Sequence, residues 1–374
     1  MSIGLNRNGG DQQNLSVQAE ILTKIRDFFQ CKHLLPVGSG TSGLYTCLRA
    51  IGVRKKKVIL PVLTCPNIVI AVYAAGGIPV VVDVSENDYN ISLPSLKRAM
   101  DHDVKAVIAV DSFGYPAPIR EIKKITAPYQ CFVLEDACHA YGGKSGNEKI
   151  GTRGDAGVLS FGYSKPVDLL GGGFLLTQSD TLAQRLKQII SQWWFYQVKS
   201  KRNEIALNLM MESKYSLFSY LARYFFLLDY NWPLRQIQLL PEKWTMFINH
   251  LEKNLKNMSQ VHGIISECRG INTFGYDPGV NWLPWRYSFK IPDGTNRMVF
   301  EKLAQENKID FTRLYPPLDR HFKNLVINCD LDHARDLAST VYNLTYSLEN
   351  DNTAILTEKL SVFSHQWNSM IAKT

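Results

Sequence analysis

Residues 35 to 52 read "LPVGSGTSGLYTCLRAIG", and Gly38, Gly40 and Gly43 within them spell G-x-G-x-x-G. In a dinucleotide-binding unit the first glycine closes a buried strand, and an acid about 20 residues further on holds the ribose hydroxyls. Neither condition is met. The preceding "CKHLLPV" carries Lys32, His33 and Pro36, which suit no central strand, and the next strand candidate, "KKVILPVLTCP", ends in Leu63, Thr64 and Cys65 without an acid. What remains is a run of small residues opening the helix "GLYTCLRAIG", where backbone N–H groups can approach an anion. A nicotinamide-dependent oxidoreductase is disfavoured, and a phosphate held at this loop is expected.

The chain has 374 residues, 45% of them hydrophobic and 20% charged, enough for about two globular domains. Its seven cysteines form no C-x-x-C pair, and "MSIGLNRNGGDQQ" has no apolar signal core. These features read as a reduced, cytoplasmic protein without a metal site. The net charge of +8 is spread over short runs such as Arg54 to Lys57 and Lys199 to Arg202. Such scatter suits a solvated surface on a protein that handles phosphorylated small molecules, and no nucleic-acid partner is expected.

From residue 58 to about 190, apolar runs alternate with helix-like stretches. "VILPVL", "IPVVVDV", "VKAVIAVD", "CFVLEDA", "AGVLSFG" and "GGFLLTQ" read as strands, with "NIVIAVYAAG", "SLPSLKRAM" and "IREIKKITAP" as helices between several of them. This pattern predicts an α/β architecture with a mostly parallel sheet covered on both faces. Ligands of such sheets sit at the carboxyl ends of the strands, which singles out Asp111, Asp136, His139, Ser160 and Lys165. Residues 1–250 are expected to form a large domain and 251–374 a smaller α+β domain. Between 190 and 250 lies an aromatic-rich, divergent segment, read as core or subunit interface in preference to a membrane-surface helix or a substrate lid.

"CFVLEDACHAYGG" and "GDAGVLSFGYSKPVDLLGGG" carry the chemistry. One strand ends in Asp136; a later strand delivers Ser160 and then Lys165 on a turn. A buried carboxylate and a lysine near a phosphate loop meet the needs of pyridoxal 5'-phosphate: an amine for a Schiff base, an anion opposite the pyridine nitrogen, and an anion hole. Alone, an Asp before a helix reads as a cap and a Ser-Lys pair as a solvated loop. Together they read as a site.

These motifs, with "VILPVLTCPNIVIAVYAAGGIPVVVDVSENDYNISLPSLKRAM", "VKAVIAVDSFGYPAPI" and "IDFTRLYPPL", resemble the DegT/DnrJ/EryC1/StrS family of pyridoxal-phosphate-dependent nucleotide-sugar aminotransferases along nearly the whole chain. The resemblance implies the aspartate aminotransferase (type I) fold. It implies Lys165 as the Schiff-base lysine and proton carrier, Asp136 as partner of the pyridinium nitrogen and His139 as a ring stacked on the cofactor. Gly40, Thr41, Ser42 and Ser160 would hold the phosphate. It further implies an amino-acid donor, L-glutamate, a keto-deoxy sugar-nucleotide acceptor, and a homodimer. Relatives that remove a hydroxyl carry His in place of the lysine, so Lys165 points to amino transfer.

Two departures stand out. Where many relatives have Glu-Gly-Gly, this chain has Leu170 followed by Gly171, Gly172 and Gly173, which leaves room for a binder that has lost turnover. The family's Asn-Tyr-Arg-Met stretch is absent, and Asn231 stands in about the right place for its trans-subunit asparagine.

Overall fold

The computed structural model describes residues 9–193, 234–274, 282–291, 294–313, 315, 317–322, 327–329, 331–344 and 353–372. Stretch 194–233, which holds Asn231 and about two thirds of the aromatic-rich segment, lies outside the described residues.

Helix Gly9–Phe29 (α1) leads into strand His33–Val37 (β1) and helix Gly40–Ile51 (α2). Strands Lys57–Pro61 (β2), Ile78–Val82 (β3), Val104–Val110 (β4) and Phe132–Asp136 (β5) follow, separated by helices Pro66–Ala74 (α3), Leu93–Ala99 (α4) and Ile119–Thr126 (α5). A short hairpin, Lys144–Ser145 (β6) and Glu148–Lys149 (β7), precedes Ala156–Ser160 (β8), Gly173–Thr177 (β9) and helix Asp180–Trp193 (α6). The main sheet has the order β1-β9-β8-β5-β4-β2-β3-β13, where β13 is Ile327–Cys329. From β8 to β13 all neighbours are parallel, whereas β9 and β1 pair antiparallel at one edge. Every residue of β8 and β9 is buried. Their unbroken apolar sequence reflects cover on both faces.

The edge position of β1 explains Pro36. A proline removes a ladder donor and is tolerated where one side of the strand has no partner; Pro36 lies opposite Phe174 of β9. The glycine loop therefore follows an antiparallel edge strand, not the central strand of a dinucleotide fold.

The C-terminal residues build a second sheet, Asn272–Thr273 (β10), Tyr287–Lys290 (β11), Phe311–Thr312 (β12) and Val341–Leu344 (β14), in the order β10-β11-β14-β12. Phe289, Phe300, Phe311, Phe363 and Trp367 pack its core, edge to face in the pairs Phe289–Phe311, Phe300–Phe363 and Phe300–Trp367. The division expected at residue 250 falls inside one long helix, Leu234–Ser266 (α7), whose Trp244 meets Phe28 of α1 at 5.4 Å. Other ties join the C-terminal part to the main sheet. Besides the pairing of β13 with β3, Asp83 accepts from His333 N and Ala334 N at 2.8 Å, and Leu318 N donates to Val62 O at 3.0 Å. Among the described residues no helix is long and apolar enough to cross a membrane.

Beneath the strand ends lies a buried ion cluster. The Arg153 guanidinium donates to Glu135 Oε1 at 2.7 Å, Asp111 Oδ1 at 2.6 Å and Ala117 O at 2.9 Å. Glu135 also accepts from the amides of Gly151, Arg153 and Gly154. Burial pushes Asp111 well above the usual carboxylate range, against the pull of Arg153. Asp111, singled out from its place after β4, is thus committed to holding that strand end beside β5. Because removing the one cation strands two buried carboxylates, Arg153→Ala should lower unfolding stability by about 3–5 kcal/mol. Urea titration measures this, and a loss below about 1 kcal/mol would contradict the assignment.

Candidate active site

The strand ends, the glycine loop and the turn after β8 enclose a cavity of about 400 Å³ lined by Gly40, Thr41, Asp136, His139, Ser160 and Lys165 among others. Six of the seven site residues expected from sequence therefore converge on it. Ser42 does not line it.

The reason is the capping of α2. Ser39 N-caps the helix: its Oγ accepts from Ser42 N at 3.0 Å, while Ser42 Oγ accepts from Ser39 N at 2.8 Å. Ser42 is fully buried beneath the loop, its N–H engaged by the cap. The first-turn amides of Gly40 and Thr41 are left at the cavity wall, where a helix N-terminus favours an anion. Gly40 is required by crowding, since a Cβ there would come within 2.7 Å of Cys138 Sγ and 3.0 Å of Ser160 Cβ.

Asp136 ends β5 with its side chain in the cavity wall, and its Oδ1 accepts from Cys138 N at 3.1 Å. Burial raises its pKa; the Cys138 hydrogen bonds and the Lys165 charge pull the other way. His139 is buried, and the same desolvation, aided by the charges of Lys165 and Arg286, holds its pKa well below the ordinary value. The imidazole is therefore neutral near pH 7, with Nδ1 unpartnered.

Lys165 sits on a braced turn. The Tyr141 hydroxyl donates to Ser160 O at 3.0 Å and accepts from Val167 N at 2.9 Å. Phe161 O accepts from Leu169 N and Gly171 N, and Gly172 N donates to Gly38 O at 2.7 Å. The last glycine of the run is required by packing, since a Cβ on Gly173 would overlap the Leu159 carbonyl.

Sequence reasoning missed Trp285. Its ring stacks on His139 with centroids 4.2 Å apart and planes 19° from parallel, and Lys165 Nζ lies 4.7 Å from its centroid. His139 was expected to stack on a cofactor; the ring stacked on it here is that of Trp285. Tyr315, from the segment "IDFTRLYPPL", lies nearly parallel to His139 at 6.2 Å. Periodicity carries no signal for residues so distant in sequence.

This arrangement fits pyridoxal phosphate. An amine and a buried carboxylate share one cavity with a helix N-terminus, whose cradle admits no side chain at position 40. A raised folded-state pKa means that Asp136 favours folding below the ordinary Asp range, and that this contribution is lost as pH rises through the raised value. Without cofactor, Asp136→Asn should therefore melt a few degrees higher than the parent at pH 7, the two converging near pH 3.5. Scanning calorimetry across that range checks the sign, and a less stable variant at pH 7 would refute it.

The profile of the DegT/DnrJ/EryC1/StrS aminotransferase family matches residues 16–355. GDP-perosamine synthase of Vibrio cholerae is 26% identical over 171 residues, 46% of this chain and 47% of the relative. A DegT DnrJ EryC1 StrS aminotransferase from Brucella abortus superposes with a TM-score of 0.74 at 20% identity, covering 94% of this chain and 90% of that one. E. coli GDP-4-keto-6-deoxy-D-mannose-3-dehydratase, solved with bound hydrated PLP, gives 0.74 at 17% identity, covering 96% and 98%. The chain spans less than half the length of the curated relatives it matches. The solved structures establish a shared fold, the type I architecture expected from the sequence. With the family profile running from residue 16 to 355, this chain belongs to the DegT/DnrJ/EryC1/StrS aminotransferase family.

Proposed function

We propose that the protein is a pyridoxal-phosphate-dependent aminotransferase that moves an amino group from L-glutamate to a keto-deoxy sugar carried on a nucleotide, in surface polysaccharide or secondary-metabolite sugar synthesis. The observation that carries this reading is the convergence of Lys165, Asp136 and the N-terminus of α2 on one cavity. The family membership supports it, as do the names of a perosamine synthase and of a pseudaminic-acid-pathway aminotransferase among the relatives.

When bound, pyridoxal phosphate supplies an electron sink for the carbanion left as an amino acid loses its α proton. Lys165 Nζ would hold the cofactor covalently and, once released, would carry the proton from the donor Cα to C4′ of the cofactor, the transfer that amino exchange requires. Asp136 would face the pyridine nitrogen as its anionic partner and favour the protonated ring. The amides of Gly40 and Thr41 and the Ser160 hydroxyl hold the phosphate, with Ser42 bracing the loop from below. His139, neutral and flat, supports the ring without adding charge.

Protein loaded with pyridoxal phosphate should be yellow, lose its band on borohydride treatment and carry the reduced label on the Lys165 peptide. Lys165→Ala should lower transfer of labelled nitrogen from glutamate to a panel of keto-sugar nucleotides by more than about 10³-fold. A borohydride label elsewhere would overturn the assignment, and a yellow protein that glutamate leaves unchanged would identify a binder without turnover.

We further propose that the enzyme works as a homodimer. Tyr163 and Leu170 both line the cavity yet are 79% and 72% exposed, which suits a mouth completed by a second copy. Light scattering at high salt should give twice the chain mass without cosedimentation on anionic vesicles. A fully loaded monomer at micromolar concentration, or salt-sensitive vesicle binding, would refute it.

A further inference from the structure

Ser164, immediately before Lys165, has φ +61°. The left-handed region is costly for a residue with a Cβ and persists only where surrounding contacts fix it. Here both backbone polar groups of Ser164 are bound by side chains. Its N–H donates to Asp168 Oδ2 at 2.7 Å, and its carbonyl accepts from the indole N–H of Trp285. The other Asp168 oxygen accepts from the amide of Leu170 at 2.8 Å, and Leu170 also has φ +61°. One carboxylate thus caps both left-handed residues that flank the lysine turn, while a side chain from the C-terminal part closes the remaining position.

Trp285 is itself fixed. It is 8% exposed, stacked on His139, and its neighbour Arg286 donates a backbone N–H to Phe113 O at 3.1 Å. Gly114 packs so tightly against the Pro284–Trp285 backbone that a Cβ there would overlap it. The indole N–H therefore points at Ser164 from a rigid base.

We propose that Asp168 and Trp285 form a two-sided clamp on Ser164 that sets the direction of Lys165, making both of them positioning residues for the amine. The inference rests on the reading of Lys165 as the residue that bonds pyridoxal phosphate. Phosphate binding uses other groups, so the clamp acts on the rate of bond formation at Nζ and not on the affinity of the cradle.

The test follows the absorbance rise as pyridoxal phosphate is mixed with cofactor-free protein, over a range of cofactor concentrations. Trp285→Phe, which keeps a ring on His139 but removes the N–H, and Asp168→Ala should each slow the limiting rate roughly tenfold. The half-saturating concentration should stay within about twofold. Ser164→Gly placed in the Asp168→Ala protein should recover most of the rate, because glycine enters the left-handed region without help. A merely structural role would not be rescued in this way. Unchanged limiting rates, or no recovery with Ser164→Gly, would overturn the clamp. If the parent protein forms no borohydride-trappable bond at Lys165, the functional reading fails, and the clamp is then judged without cofactor. Amide hydrogen exchange in residues 161–172 should be roughly tenfold faster in both variants, and unchanged exchange would overturn it.

Discussion

Strand β5 ends in two successive carboxylates, and the rest of the site follows from the difference in how they are satisfied. Strand alternation sends Glu135 and Asp136 to opposite faces. Glu135 is met by three backbone amides and the Arg153 guanidinium. Asp136 receives one backbone amide and the thiol, both from Cys138, with the charge of Lys165 nearby. A carboxylate taken out of water with so little compensation opposes folding unless its surroundings are held rigidly. The neighbouring ion cluster supplies that rigidity, binding β4 and β5 together one residue from the under-compensated charge. Folding thus delivers an anion with spare capacity to attract a cation.

The same division of labour recurs around Lys165. Tyr141, Phe161 and the glycine run fix the turn from within the large sheet, whereas Trp285 arrives from the strand region beyond α7. Phe113, Trp285, His139 and Tyr315 form a cluster of nearly parallel or tilted rings drawn from separate parts of the chain. Aromatic stacking of this sort contributes about 0.5–1.5 kcal/mol per pair beyond burial. Its larger effect is directional, because flat rings restrict how neighbouring side chains can tilt.

Much of this was legible in the sequence. The parallel strands announce themselves as unbroken apolar runs, since cover on both faces removes any need for alternation. Asp136, Ser160 and Lys165 are readable because they sit at strand ends in a fixed order. Other parts left weaker traces. Pro36 excluded a central strand, and only the sheet order reveals that β1 is an edge strand. Ser42 belongs to a reciprocal cap with Ser39, a local competition between helix capping and anion binding that a glycine motif does not disclose. Arg153, in "IGTRGDAG", reads as an ordinary loop cation, and its burial depends on two carboxylates from distant strands. Trp285 and Ser164 meet only through tertiary packing, as do β13 and β3.

The pairing of β13 with β3 bears on how the chain is made. Strand β3 is synthesised early, and the backbone groups on its outer edge, at Val80 to Val82, are those that β13 later pairs. Among the described residues, the strand that pairs with this edge is Ile327–Cys329, which is made much later. An unpaired edge of this kind is a template for pairing with other chains. The other described strands of the main sheet all lie before residue 178, so its outer edge is closed only by the C-terminal part of the chain.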